Sequence, residues 1–82
     1  MKLPRDISGV ELAKVLSVFG YRTTRQTGSH IRLTTTEMGE HHITIPSHPA
    51  LRLGTLGSIV HDVAEHFNIG KDEVVEKLFQ KR

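Results

Sequence analysis

Gln26-Thr27-Gly28-Ser29-His30-Ile31-Arg32-Leu33 is the stretch on which the reading of this chain turns. Gly28 and Ser29 are small turn residues, and the run behind them alternates polar and apolar. In a strand, residues two apart share a face. His30, Arg32 and Thr34 therefore look one way and Ile31 and Leu33 the other. An apolar pair is held inward while an imidazole and a guanidinium are presented outward. A hairpin with one apolar face needs a covering layer, so the flanking sequence has to supply striped helices.

It does so on both sides. Towards the N-terminus, residues 21–27 are rich in threonine and arginine and predict a strand with little to bury, hence an exposed or edge position. The turn at Gly28 and Ser29 is a two-residue loop, a length whose composition here leaves room for a register shift of one residue. Before that strand, Ser8 and Glu11 form a capping-box pattern, and Leu12, Val15, Leu16 and Phe19 make the apolar stripe of a helix over 8–19. Gly20 supplies its left-handed stop.

Towards the C-terminus, the second strand covers 29–36 and Glu37-Met38-Gly39-Glu40 turns the chain. A third strand over 41–46 sets His41, Ile43 and Ile45 on one face and His42 and Thr44 on the other, and Pro46 ends it. After a loop at 47–52, Leu56, Ile59, Val60, Val63 and Phe67 stripe a second helix that Asn68 and Gly70 terminate. Val74, Val75, Leu78 and Phe79 mark a third over 71–80.

The predicted fold class is α+β: helix, three-stranded antiparallel sheet, then two helices, with the helices on one sheet face. Ile31, Leu33, Ile43 and Ile45 should meet Leu12, Leu16, Phe19, Ile59 and Val63. His30, Arg32, Thr34, His42 and Thr44 are left on a bare polar face.

At 82 residues with no internal linker, the chain reads as one domain spanning 1–82. The absence of cysteine rules out disulfides and thiolate metal sites. Met1-Lys2-Leu3-Pro4-Arg5-Asp6 carries no apolar run of the kind a signal peptide has, and no stretch is long enough to span a membrane. A cytoplasmic protein is expected. Net charge is +2, and Arg22, Arg25 and Arg32 cluster around the opening stretch while Asp62, Glu65, Asp72, Glu73 and Glu76 gather towards the C-terminus. A basic middle of this kind admits nucleic acid; its simpler alternative is a solvated sheet face.

Six histidines in so short a chain raise the question of metal. His41 and His42 point to opposite faces of a strand, and His61 and His66 are separated by about 140° around a helix. No His-Glu-x-x-His pattern is present, and His61 with Glu65 reads as a surface pair. No metal or other cofactor is expected. Nucleophile elbows, phosphate loops and dinucleotide fingerprints are absent too.

General acid–base chemistry by one histidine survives, because imidazole titrates near neutral pH. RNA needs little else, since its own 2′-hydroxyl is the nucleophile once a base removes the proton and cations steady the phosphate. His30 fits the base, with Arg32 or Arg25 stabilising the phosphate. The helix start at Gly54-Thr55 offers free N–H groups as a further phosphate contact, against the plainer role of Thr55 as N-cap. Taken on residue physics alone, a strand histidine without a role is the simpler alternative for His30.

Arg25-Gln26-Thr27-Gly28-Ser29-His30, with Ile31-Arg32-Leu33, then Thr44-Ile45-Pro46-Ser47-His48, then Leu53-Gly54-Thr55-Leu56 with Ile59, resembles the HicA (YcfA-like) family of mRNA interferase toxins over residues 8–69. The resemblance implies a double-stranded-RNA-binding-domain-like fold and a toxin of a type II toxin–antitoxin system. It implies a metal-independent mRNA endoribonuclease in which His30 matches the catalytic histidine, with Gly28 and Ser29 as the turn presenting it. His48 matches a histidine of unassigned role. Many members carry a second histidine straight after the first; here Ile31 stands there, on the face turned to the core.

Expected partners are mRNA and a HicB-type antitoxin, with Arg25, Ser29, Arg32 and Thr55 as the RNA contacts. The alternative is a non-catalytic RNA-binding module of the same fold. A protein–protein adaptor using the polar face has no specific residue in its favour.

Overall fold

Ser8 opens the first helix as its spacing predicts. In the computed structural model, which describes residues 2–80, its hydroxyl accepts the Glu11 N–H at 3.0 Å while the Glu11 carboxylate accepts the Ser8 N–H at 2.9 Å. Met1, Lys81 and Arg82, the ends of the expected 1–82 domain, lie outside the described residues. Helix α1 runs Gly9–Val15 and tightens into a 3-10 turn, Leu16–Phe19, that Gly20 stops with φ of 82°. Strands β1 (Arg22–Gln26), β2 (His30–Thr35) and β3 (His41–Pro46) follow, then helices α2 (Leu53–Phe67) and α3 (Lys71–Phe79). The fold is α+β, in the element order the sequence predicts.

The sheet is antiparallel in the order β1-β2-β3. Ile31 pairs with Ile45 and Leu33 with Ile43, so one face of β2 and β3 is apolar. These four meet Leu12, Leu16, Phe19, Ile59, Val60 and Val63 in one core cluster that also takes in Tyr21, Leu51, Val74, Val75 and Leu78. Each such side chain contributes about 1.5–3 kcal/mol by leaving water. A one-residue slip of β2 would expose Ile31 and Leu33 and bury His30 and Arg32, so the pairing is firmly set.

Thr35 is the buried polar residue of this layer, and it is satisfied. Its hydroxyl donates to the Phe19 carbonyl at 2.9 Å and accepts the Glu37 N–H at 3.1 Å, tying the end of β2 to the end of the first helix.

All five residues of β1 are exposed, as an uncovered edge strand should be. The expected freedom of register is resolved within the strand. Thr27 N–H donates to the His30 carbonyl at 2.9 Å and closes a two-residue Gly28–Ser29 turn in register, while a bulge falls between Thr23 and Arg25. A bulge together with outward arginines blunts an edge against further strand pairing.

Some boundaries differ from expectation. β1 and β2 are each shorter by a residue at both ends, with Tyr21 turned into the core ahead of β1, while β3 keeps the expected 41–46. Helix α2 begins at Leu53 with Arg52 in the cap position, its carbonyl accepting the Leu56 N–H at 2.9 Å. Thr55 is therefore the third helical residue and not the N-cap. The backbone bond from Leu51 N–H to the Ile7 carbonyl, 2.8 Å, fixes the chain just before this start. No described helix is long and apolar enough to cross a membrane.

Candidate active site

The pleat puts His30, Arg32 and Thr34 of β2 on the sheet face away from the helices, with Thr44 opposite Arg32 and His42 opposite Thr34. On the other side of β2, Arg25 pairs with Arg32 and Arg22 with Thr34. The bulge turns Thr24 to this face as well, where its hydroxyl lies 3.1 Å from that of Thr34. The result is a polar surface with His30 at one end and three guanidiniums along it. All of these side chains are exposed except Thr34, which is half-buried.

Arg25 opposite Arg32 is electrostatically costly. Like charges facing each other across a strand pair destabilise a sheet, an effect that solvent screens here because both side chains are exposed. The ion pairs among the described residues are His42–Glu40 at 3.0 Å and His61–Glu65 at 3.6 Å, and neither relieves the arginines. Among the described residues no carboxylate stands within ion-pair distance of Arg22, Arg25 or Arg32, so these guanidiniums face solvent, while Glu40 is taken up by His42 further along the face.

The histidines separate by what already occupies their nitrogens. His42 is used twice, by the Thr34 hydroxyl at 2.7 Å and the Glu40 carboxylate at 3.0 Å. His66 Nε2 donates to the Glu37 carbonyl at 2.8 Å, and His61 faces Glu65 as the helical spacing predicts. His30 has Nδ1 3.1 Å from the Ser29 hydroxyl, and its exposed ring leaves Nε2 open to a ligand. Among the described residues no three histidine, aspartate or glutamate side chains are grouped to hold a metal ion.

His30, Ser29, Arg25 and Arg32, singled out from sequence, are brought together at the β1–β2 end of this face. Thr55 is set apart, in the first turn of α2 within the helical layer. Sequence reading missed Thr24, because nothing in Arg22-Thr23-Thr24-Arg25 marks where a bulge will fall.

His41 belongs to a different environment, at the far end of β3. Its ring stacks on His66 with centroids 4.4 Å apart, and its Nδ1 is 2.8 Å from the Tyr21 hydroxyl. Burial pushes the Tyr21 pKa up to about 12, with the Asp62 carboxylate adding to it, so the phenol keeps its proton. Burial also lowers the His41 pKa from 6.5; His66 and His42 push the same way, and Asp62 opposes them.

A lowered folded pKa means that the unfolded chain takes up the proton first as pH falls. The His41 contribution to stability is therefore present above about pH 6.5 and lost below it. Urea unfolding midpoints are expected to drop between pH 7.5 and pH 5, and His41→Gln should flatten that slope. An equal slope in the variant would show that His41 does not set it.

The family model described as the HicA toxin of bacterial toxin–antitoxin systems matches residues 9–64, a span that holds α1, the whole sheet and most of α2. No curated protein and no solved structure matches the chain.

Proposed function

The chain belongs to the HicA toxin family, the toxin side of a toxin–antitoxin system, and from that premise we propose that it is a metal-independent mRNA endoribonuclease whose proton-transfer residue is His30. The observation that carries this reading is the exposed imidazole of His30 beside the register-paired Arg25 and Arg32, neither of which has an ion-pair partner among the described residues. A phosphodiester bound between the two guanidiniums would turn their mutual repulsion into attraction.

With Nδ1–H donated to the Ser29 hydroxyl, Nε2 carries the lone pair and takes the proton from a ribose 2′-hydroxyl. The 2′-oxygen attacks the adjacent phosphorus, the bond to the 5′-oxygen breaks, and a 2′,3′-cyclic phosphate and a 5′-hydroxyl result. Arg25 and Arg32 stabilise the charge that builds on the non-bridging oxygens. The departing 5′-oxygen takes its proton from the imidazolium just formed or from a second group. A pH–rate profile with one limb assigns that step to His30, and two limbs assign it to another titrating group.

The antitoxin partner that the family implies is, on this reading, a HicB-type protein that covers the polar face, and both act in the cytoplasm. The purified chain is expected to cut a single-stranded transcript in EDTA, leaving cyclic phosphate ends. Salt-sensitive binding without cleavage would overturn the enzymatic reading in favour of an RNA-binding module.

A further inference from the structure

Thr44-Ile45-Pro46-Ser47-His48 recurs in the sequence resemblance, yet the cleavage chemistry gives it no task. Its position in the fold does. Ser47 directs both of its polar groups onto the turn that precedes His30. Its N–H donates to the Ser29 carbonyl at 3.0 Å, and its hydroxyl donates to the Gly28 carbonyl at 3.1 Å. The next residue is anchored in the opposite direction, the His48 carbonyl accepting the Gly9 N–H at 3.0 Å. The segment is a strap with one side on the N-terminus of α1 and the other on the Gly28–Ser29 turn.

The turn has little else to hold it. Gly28 and Ser29 are exposed, and a Cβ built on Gly28 meets nothing within 4 Å. Within the hairpin, Thr27 closes it through the His30 carbonyl alone, with its N–H at 2.9 Å and its hydroxyl at 3.5 Å. Both turn carbonyls are thus fixed by one residue, Ser47, from outside the hairpin. Fixing the peptide planes on either side of the Ser29 Cα fixes the direction of its Cα–Cβ bond, from which one staggered rotamer carries the hydroxyl to the imidazole. That hydroxyl in turn meets Nδ1 of His30 at 3.1 Å.

We propose that Ser47 is a positioning residue for His30. It acts through the Gly28–Ser29 turn to hold the Ser29 hydroxyl as acceptor for Nδ1–H, which keeps Nε2 free as the base. The inference rests on the assignment of His30 as the proton-transfer residue.

The test uses the full chain and two readouts. Ser47→Ala removes the hydroxyl but keeps the backbone N–H bond, and Ser47→Thr keeps both. Nitrogen chemical shifts of the His30 ring report which tautomer the neutral imidazole adopts, with or without any cleavage activity. The unaltered chain and Ser47→Thr are expected to favour Nδ1–H, and Ser47→Ala to shift towards Nε2–H. Single-turnover cleavage by Ser47→Ala should fall about tenfold with KM unchanged, since small misplacements of a reacting group are costly, and Ser47→Thr should restore it.

An unchanged tautomer in Ser47→Ala overturns the proposal, as does a rate loss in which KM rises instead. If the unaltered chain cuts no RNA, the nuclease reading fails by itself, and the tautomer shift still decides the role of Ser47. Should Ser47→Ala fail to fold, deuterium exchange in the unaltered chain replaces it: a protected Ser47 amide supports the strap and a freely exchanging one overturns it.

Discussion

His30→Ala is expected to lower RNA cleavage by about 10²–10⁴-fold, the range over which a positioned acid–base group accelerates proton transfer. Growth arrest on induction should be lost with it. The fold should be untouched, because the side chain is exposed and among the described residues its hydrogen bond goes to the neighbouring Ser29. The backbone bond from Thr27 N–H to the residue-30 carbonyl does not depend on the side chain. His30→Gln separates the proton from the shape: it keeps a polar side chain of similar reach without a titrating nitrogen, and should be as inactive as alanine.

Arg25→Ala and Arg32→Ala should behave differently from either. On the proposed mechanism each would remove one phosphate contact, so RNA binding is expected to weaken and its dependence on salt to become shallower. Cleavage by His30→Ala at the rate of the unaltered chain would remove His30 from the mechanism.

What the sequence could and could not announce follows from how locally each feature is encoded. Ile31 and Leu33 alternate with His30 and Arg32 over four residues, so both sheet faces were readable from a short window. Ser8 and Glu11 form a cap by their spacing alone, and Asn68 takes the left-handed helix end, φ 56°, that its short polar side chain tolerates.

The features that escaped depend on residues far apart in the chain. The His41–His66 stack joins β3 to α2, and Ser47, just past the end of β3, reaches back to Gly28 ahead of β2. Thr55 illustrates the same limit from the other side: its residue type suits an N-cap, but the long-range bond between Leu51 and Ile7 brings the helix start forward. The catalytic candidate was therefore legible as a residue, and its support was not.

Gly9 is the sharpest case of such hidden support, and Gly9→Ala is expected to be severely destabilising. By local rules the change should help, since alanine is the better helix former by about 1 kcal/mol. The left-handed backbone conformations among the described glycines belong to Gly20 and Gly39, so Gly9 has no conformational need to be glycine. The need is one of space. A Cβ at Gly9 would collide with the Pro46 carbonyl oxygen and lie 3.1 Å from both the Pro46 carbonyl carbon and the Ser47 Cα.

All three are backbone atoms and cannot rotate away, so α1 or the strap has to move. Moving apart breaks the 3.0 Å bond from Gly9 N–H to the His48 carbonyl and loosens Leu12 and Leu16, both fully buried, from the sheet. Overpacking of this kind costs about 1–3 kcal/mol, and the lost hydrogen bond adds about 1 kcal/mol. The steric term exceeds the gain in propensity. Less the ~1 kcal/mol of propensity, and with a urea m-value near 1 kcal/mol/M, the unfolding midpoint should fall by about 1–3 M.

Gly54→Ala is the internal comparison: it is the same substitution in the first turn of α2, where the added Cβ meets nothing within 4 Å. Its midpoint should stay level or rise. Because the strap that Gly9 anchors also holds Ser47, Gly9→Ala molecules that remain folded should also cleave RNA more slowly. An unchanged midpoint in Gly9→Ala would mean that α1 does not seat on the Pro46 carbonyl, and the strap would lose its anchor.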